Sequence, residues 1–367
     1  MSLGRLGISN IRNIKSASLE LVPGVNLILG PNGSGKTSLL EAVYFLGSAR
    51  TFRSASVDPL ITRGETECTV FGAVYDHHAN RTNLGVKRDR TGGREIKVNG
   101  AQVHKASQLA RKLPTLVLGP NTVELITGPP GSRRKFLNWG VFHVEPSFVD
   151  AWEQANRCLR QRNELLRTPG MTSGELRIWN ARLDDVAERI HRLREQWFGS
   201  FQESFADVCG ALTRLAGVTC TYYKGWDGED GLAPVLERQA SGDLQRGYTQ
   251  SGHHRAELRL RVGNVAATSV CSRGELKILA WAMVLGQGRV YTQREDADPV
   301  YLVDDLASEL DDEHQARVCD FLSASPGQVL ATGVDESRLA GRWRERPRVF
   351  HVERGSFSVE EIVDERR

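Results

Sequence analysis

Nine residues constrain this chain more than any other stretch: Gly30, Pro31, Asn32, Gly33, Ser34, Gly35, Lys36, Thr37 and Ser38. They fit the phosphate-loop pattern G-x-x-x-x-G-K-[ST], in which each residue type has a physical task. The glycines let the backbone curl so that successive N–H groups point inward onto phosphate oxygens. Lys36 would reach the β- and γ-phosphates, and the Thr37 hydroxyl would ligate Mg²⁺. The flanks agree: Val25–Leu29 reads as a short buried strand, and residues 38–46 as a helix with its positive end toward the phosphates. A plain glycine-rich turn would explain the bend but not the Lys36-Thr37 pair.

Val300-Tyr301-Leu302-Val303-Asp304-Asp305 has the Walker B form, an apolar strand with carboxylates at its tip. Asp304 would hold Mg²⁺ through water, and Asp305 would orient or deprotonate the attacking water. Lys36 and Asp304 bracket most of the chain, so the halves of one site come from opposite ends of the sequence. Before Asp304, Ser272-Arg273-Gly274-Glu275 opens the helix that continues through Leu276 and Lys277. A Ser hydroxyl, a Gly N–H and a helix N-terminus together make an anion-binding element, and plain helix capping explains the same residues. No N-K-x-D guanine-reading motif occurs, which favours ATP over GTP.

With 367 residues the chain is long enough for two to three domains with sizeable cores. Its net charge of +3 does not by itself demand a nucleic-acid partner. Six scattered cysteines form no C-x-x-C pair, which argues against a zinc site or a disulfide framework. The start lacks the apolar core of a signal peptide, and no apolar run approaches membrane-spanning length. The expectation is a cytoplasmic protein with reduced thiols.

Along the chain, residues 1–118 read as β-rich with one helix. Strands are predicted at Cys68–Tyr75, Leu84–Lys87 and Glu95–Val98, with turns at Gly92-Gly93 and Asn99-Gly100. From Pro146 the spacing turns helical. Trp152, Ala155 and Leu159, then Ile178, Leu183, Val186, Ile190, Leu193 and Trp197, predict two helices joined near residues 168–174. The second is expected to break register at Phe198-Gly199. Residues 225–252 read as loop, Leu258–Val262 as a strand, 275–285 as a helix and Gln328–Thr332 as a last core strand.

The order of phosphate loop, Ser272–Glu275 element and acid-tipped strand resembles the ATP-binding-cassette ATPases. In that family the middle element contacts the γ-phosphate held by a partner subunit. With inserted helices, the chain resembles the SMC-like DNA-repair proteins, and among them the RecF family of recombination mediators. The matching residues run end to end. They are Asn10-Ile11-Arg12-Asn13, Arg50-Thr51-Phe52-Arg53, the Arg133-Arg134-Lys135-Phe136-Leu137 box, Gly252 through Leu258, and Asp304-Asp305-Leu306-Ala307-Ser308-Glu309-Leu310-Asp311. The chain departs at His253, where proline is usual, at Asn138, where aspartate is usual, and at Leu118-Gly119-Pro120-Asn121, which replaces a more acidic stretch.

The resemblance implies an α/β, ABC-type (SMC-like) ATPase head with split halves and a short inserted helical arm. The halves are placed at 1–118 and 251–367, with the arm at 119–250. It further implies an ATP-dependent homodimer closed head to tail, with Ser272 and Gly274 completing the neighbour's site and Ser308 and Asp311 at the seam. Lys36 and Asp305 would support weak, DNA-stimulated ATP hydrolysis used as a switch. Duplex and gapped DNA, RecR, RecO and RecA are the implied partners, with no membrane. Arg133, Arg134 and Lys135 are the densest basic cluster and candidate DNA contacts. Arg157, Arg160, Arg162 and Arg167, and Lys87, Arg88, Arg90 and Arg94, form further clusters, and most such runs are solvated faces. His253 and His254 read as structural rather than metal-binding, since no acidic or Cys partner has ligand spacing. The alternatives are an ABC-type transporter subunit, which would carry a switch histidine where Thr332 stands, and a nuclease-associated ATPase. The latter needs an added acidic metal domain, for which little chain follows Asp311.

Overall fold

The computed structural model describes residues 1–359 except 55, 296, 326 and 336–338. The chain divides into two compact units, one of residues 1–122, 211–213 and 277–367, the other of residues 123–210 and 214–276. The strands of the first are β1 (Ser2–Ile11), β2 (Ile14–Glu20), β3 (Val25–Leu29), β4 (Glu67–Tyr75), β5 (Arg81–Asp89), β6 (Arg94–Val98), β7 (Ala101–Val103) and β8 (Thr115–Leu118). The second holds β9 (Val218–Tyr223), β10 (Glu257–Val262) and β11 (Val265–Ala266). Then β12 (Val300–Val303), β13 (Val329–Gly333), β14 (Arg348–Glu353) and β15 (Ser356–Val359) return to the first.

Two sheets build the first unit. One is antiparallel, in the order β2-β1-β4-β5-β6-β7; the other runs β15-β14-β3-β13-β12-β8 and is parallel except for β15. The helix Lys36–Ser48 lies between them and is buried on nearly every side, from Leu39 and Leu40 to Val43, Phe45 and Leu46. That is why its apolar residues follow no single stripe: a helix covered all round needs none. In the second sheet β13 separates the phosphate-loop strand β3 from the acid-tipped β12. Parallel strands present their C-terminal ends on one edge, so the Gly30 loop and Asp304 emerge side by side.

In the second unit, residues 251–276 cluster with the inserted helices, whereas the motif pattern predicts them in the C-terminal half of the head. The cause is pairing: β10 runs antiparallel to β9, with Leu258 opposite Tyr222, and Glu257 accepts a forked bond from Arg133. The helix Ser173–Leu212 runs continuously through Phe198-Gly199, where a change of apolar register is expected. Trp197, Phe201 and Phe205 stack at one-turn intervals, with ring centroids 5.0 and 5.6 Å apart. Burying this ladder outweighs the cost of about 1 kcal/mol for a helical glycine. Trp152 and Ile178, expected on the buried stripes, are 41% and 56% exposed. Residues 225–252 are not all loop, for they hold the short helices Ala233–Arg238 and Ala240–Arg246. Asp184, remote in sequence, supplies the first with its start by accepting from the Leu232 and Ala233 N–H groups at 2.6 and 3.1 Å.

Candidate phosphate-loop site

The loop begins where β3 ends. Gly30 donates its N–H to the Gly333 carbonyl at the end of β13, and a Cβ on Gly30 would lie 2.3 Å from the Val352 carbonyl oxygen of β14. Only glycine fits between those strands. The Lys36 side chain turns back under the loop, with Nζ donating to the Gly30 and Pro31 carbonyls at 2.6 and 3.0 Å. Burial pushes its ammonium below the usual lysine range, and the charges of Asp305 and Asp304 pull it back up. The Ser34 hydroxyl is buried with no partner among the described residues.

Thr37 opens the helix and donates to Asp304 at 2.9 Å (Oδ1), with Oδ2 at 3.2 Å. Asp304 also accepts from the Thr332 hydroxyl at 3.0 Å, and that same hydroxyl accepts from the Asp305 N–H at 2.8 Å. Thr332 thus orients both acidic residues from the neighbouring strand β13. Burial raises the Asp304 carboxyl above the ordinary aspartate value; the Thr37 and Thr332 hydroxyls oppose this and the neighbouring Asp305 charge adds to it. Asp305 sits in left-handed backbone, φ 55, with Oδ1 buried and without a hydrogen-bond partner among the described residues. A non-glycine residue held there costs about 1 kcal/mol or more, which marks the turn as constrained.

A second layer fixes the start of the helix. Glu41 is fully buried and accepts a forked bond from Arg12 at 2.8 and 2.9 Å; the Thr51 hydroxyl donates to it and Arg53 stands 3.8 Å away. The Arg53 charge also acts on Asp304. Lys36, Thr37, Asp304 and Asp305 are therefore brought together within the first unit. The residues that sequence reasoning missed here are Thr332 as an acid-orienting group, Glu41 as an arginine anchor and Asn13, whose amide holds the loop. The Asn10–Asn13 resemblance was the available signal for the last.

Ser272 and Gly274 lie in the second unit, exposed at the start of the helix Arg273–Glu295. Ser272 forms a reciprocal capping box with Glu275: Glu275 Oε2 accepts from the Ser272 N–H at 2.7 Å and from its hydroxyl at 2.8 Å, and the Glu275 N–H points back to Ser272 Oγ at 3.3 Å. Space around Gly274 is open. Among the basic candidates, Arg133 has its donors engaged by Glu257 and by the Leu125, Ile126 and Gly128 carbonyls. Arg134 reaches the Ala256 carbonyl at 3.3 Å, and burial lowers its guanidinium's pKa. Lys135 is exposed, as are Arg157 and Arg160. Arg162 is not on a solvated face: it is fully buried on Asp243, Thr249 and Asn180. Arg167 donates to the Gly247 carbonyl at 2.9 Å. On the hairpin, Lys87 pairs with Glu67, and Arg88, Arg90 and Arg94 donate to nearby carbonyls. His253 and His254 pack in a short helical turn, and among the described residues no cluster of three His, Cys, Asp or Glu side chains forms a metal cage. Nor is any described helix long and apolar enough to cross a membrane.

The family model of the RecF/RecN/SMC N terminal domain matches residues 2–357. A DNA replication and repair protein RecF from Pseudomonas syringae pv. syringae (strain B728a) is 40% identical over 360 residues, covering 98% of both chains. Its counterpart from Stutzerimonas stutzeri (strain A1501) is 41% identical, covering 98% of this chain and 97% of the relative. Among solved structures, the recombination mediator protein RecF-ATP in the RecFOR pathway superposes with a TM-score of 0.85 at 24% identity, over 98% of this chain and 97% of the other. The SmcHead bound to the C-winged helix domain of ScpA gives 0.60 at 16% identity, over 98% and 97%. Those structural likenesses are of fold.

Proposed function

The chain belongs to the RecF family of DNA replication and repair proteins within the SMC-type ATPases, and from that membership we propose that it is an ATP-dependent DNA-binding clamp. The observation that carries the proposal is the meeting of Lys36 and Thr37 with Asp304 and Asp305, with Thr37 Oγ1 only 2.9 Å from Asp304 Oδ1. The residues suit Mg²⁺–ATP. A buried, unpartnered Ser34 hydroxyl and a lysine whose Nζ is bonded to carbonyl oxygens are groups that phosphate oxygens would satisfy. A carboxylate held above its usual pKa by burial is one that a cation would relieve.

In this reading Gly30 through Ser38 cradle the phosphates, Lys36 compensates their charge, and Thr37 and Asp304 hold Mg²⁺. When bound, Mg²⁺–ATP supplies a phosphoanhydride whose charge the metal partly neutralises. Asp305 orients the attacking water and takes its proton. Its side chain is one methylene shorter than a glutamate, so turnover is expected to be slow, with nucleotide setting the lifetime of the clamp. Ser272 and Gly274, exposed at a helix N-terminus, would complete the site of a second copy laid head to tail, with Ser308 and Asp311 at the seam. Duplex DNA near single-strand gaps is the proposed ligand, contacted through Lys135 and other exposed basic residues rather than Arg133. Such contacts would be sequence-tolerant and salt-sensitive. RecO, RecR and RecA are the proposed partners, with the clamp helping RecA to load.

Light scattering of the purified chain with Mg²⁺–ATP tests the proposal. Wild type should dimerise, and both Lys36→Met and Ser272→Arg should remain monomeric. Only Lys36→Met should lose nucleotide binding by the monomer. A nucleotide-loaded wild type that stays monomeric at high concentration would contradict the clamp.

A further inference from the structure

The Asn10–Asn13 segment has no task in the function so far proposed. It ends β1 with Asn10 and Arg12 both in left-handed backbone, φ 58 and 53. Each such residue costs about 1 kcal/mol, and the pair delivers two side chains to the phosphate loop and its helix. Arg12 takes Glu41, as described. The Asn13 amide is engaged at both ends: Nδ2 donates to the Gly33 carbonyl at 3.1 Å, and Oδ1 accepts from the Ser38 hydroxyl at 2.8 Å. It staples the loop to the first turn of the following helix.

A second turn closes on the loop from the far end of the chain. Between β14 and β15, the Gly355 N–H donates to the Ser34 carbonyl at 2.7 Å. Gly355 has φ +82, and a Cβ there would lie 2.4 Å from the Asn13 carbonyl oxygen. The two turns therefore touch each other as well as the loop. A trans peptide is planar, with N–H opposite C=O. Holding the Ser34 carbonyl on Gly355 thus directs the Gly35 N–H away from that turn, to the side where a phosphate would lie. Asn13 fixes the preceding peptide by its Gly33 carbonyl, and the Ser34 N–H of that peptide closes the turn on the Pro31 carbonyl at 3.2 Å.

We infer that Asn13 and Gly355 are positioning residues for nucleotide binding, acting through the Gly33 and Ser34 carbonyls. The inference rests on reading residues 30–38 as the phosphate site. In the full-length chain, Asn13→Ala should raise KM and Kd for Mg²⁺–ATP roughly thirtyfold, the worth of the two hydrogen bonds it loses, to Gly33 and to Ser38. The nucleotide-free melting temperature and kcat should change little. Ser38→Ala, which cuts only the Ser38 end of the staple and leaves Asn13 on Gly33, should weaken binding less than Asn13→Ala, and the double variant should be no worse than Asn13→Ala alone. Gly355→Ala should also weaken binding, by forcing a methyl group onto the Asn13 carbonyl. Wild-type affinity in Asn13→Ala, or affinity lost only in proportion to melting temperature, overturns the inference. A wild type that fails to bind Mg²⁺–ATP at all would instead remove the phosphate-site reading, and this inference with it.

Discussion

Asp304 carries an electrostatic burden that shows in its surroundings. Two threonine hydroxyls donate to it, yet burial and the adjacent Asp305 hold its carboxyl above the ordinary range. For an acid, a folded-state pKa above the unfolded one means that ionisation costs the fold stability as pH rises through that interval, and the full cost remains above it. At neutral pH the nucleotide-free protein should therefore gain from losing this charge. Asp304→Asn is expected to be more stable by about 1 kcal/mol in EDTA, the usual scale for relieving a functional site. It should show no further rise in melting temperature with Mg²⁺–ATP, whereas wild type should rise. Calorimetry on the two proteins decides it; a less stable variant would show that the hydroxyl bonds, not desolvation, dominate. Asp304 was legible in the sequence because its signal is local, an apolar run ending in acids. Thr332 was not, since its meaning comes from a hydrogen bond across neighbouring strands 28 residues apart.

The same division between local and distant signals holds for whole elements. Strand β3, its loop and its helix were readable because pattern and turn chemistry lie within one short stretch. What carries the helix Ser173–Leu212 past its register change at Phe198-Gly199 was not, because the aromatic rings that stack on either side of the glycine show only in the packing. The helical turn His253–Arg255 shows what such packing does to ionisation. Burial, with the Arg255 and Arg134 charges assisting, lowers His254 to about 4, and burial first and Arg194 second lower the His253 imidazole as well. Both histidines are neutral in the fold, while the unfolded chain takes up protons below about pH 6.5. Stability is thus full above that pH and falls as pH drops from 6.5 toward 4, by about 3 kcal/mol for His254 alone, with His253 adding in the same direction. Urea unfolding across this range should show the loss, and His254→Asn should flatten it. A wild-type midpoint constant from pH 7 to 4.5 would refute the prediction.

At the scale of the molecule, the first unit is interleaved rather than merely split. In the core sheet, β3 from the start of the chain lies between β14 and β13 from its end, and β8 flanks β12. Buried Gln328, next to β13, binds the Leu3 N–H and carbonyl at 2.8 and 2.9 Å and the Val22 carbonyl at 2.7 Å, joining the two sheets. The separation of Lys36 from Asp304 announced that the ends must meet, but not the strand order, which depends on pairings that no local pattern encodes. The interleaving has a sharp consequence. A chain ending at residue 327 keeps the phosphate loop, its helix and Asp304, yet leaves β3 without either neighbour. The loop's supports at Gly333, Val352 and Gly355 go with them. Such a chain should bind no Mg²⁺–ATP and should lose the cooperative melting of the first unit. Co-expressing residues 328–367 as a separate segment should recover part of both, because the missing strands add to existing edges by backbone hydrogen bonds. If the truncated chain bound nucleotide with full affinity, the loop would owe its shape to its own glycines. The parallel sheet would then be a scaffold for the rest of the fold and not for the site.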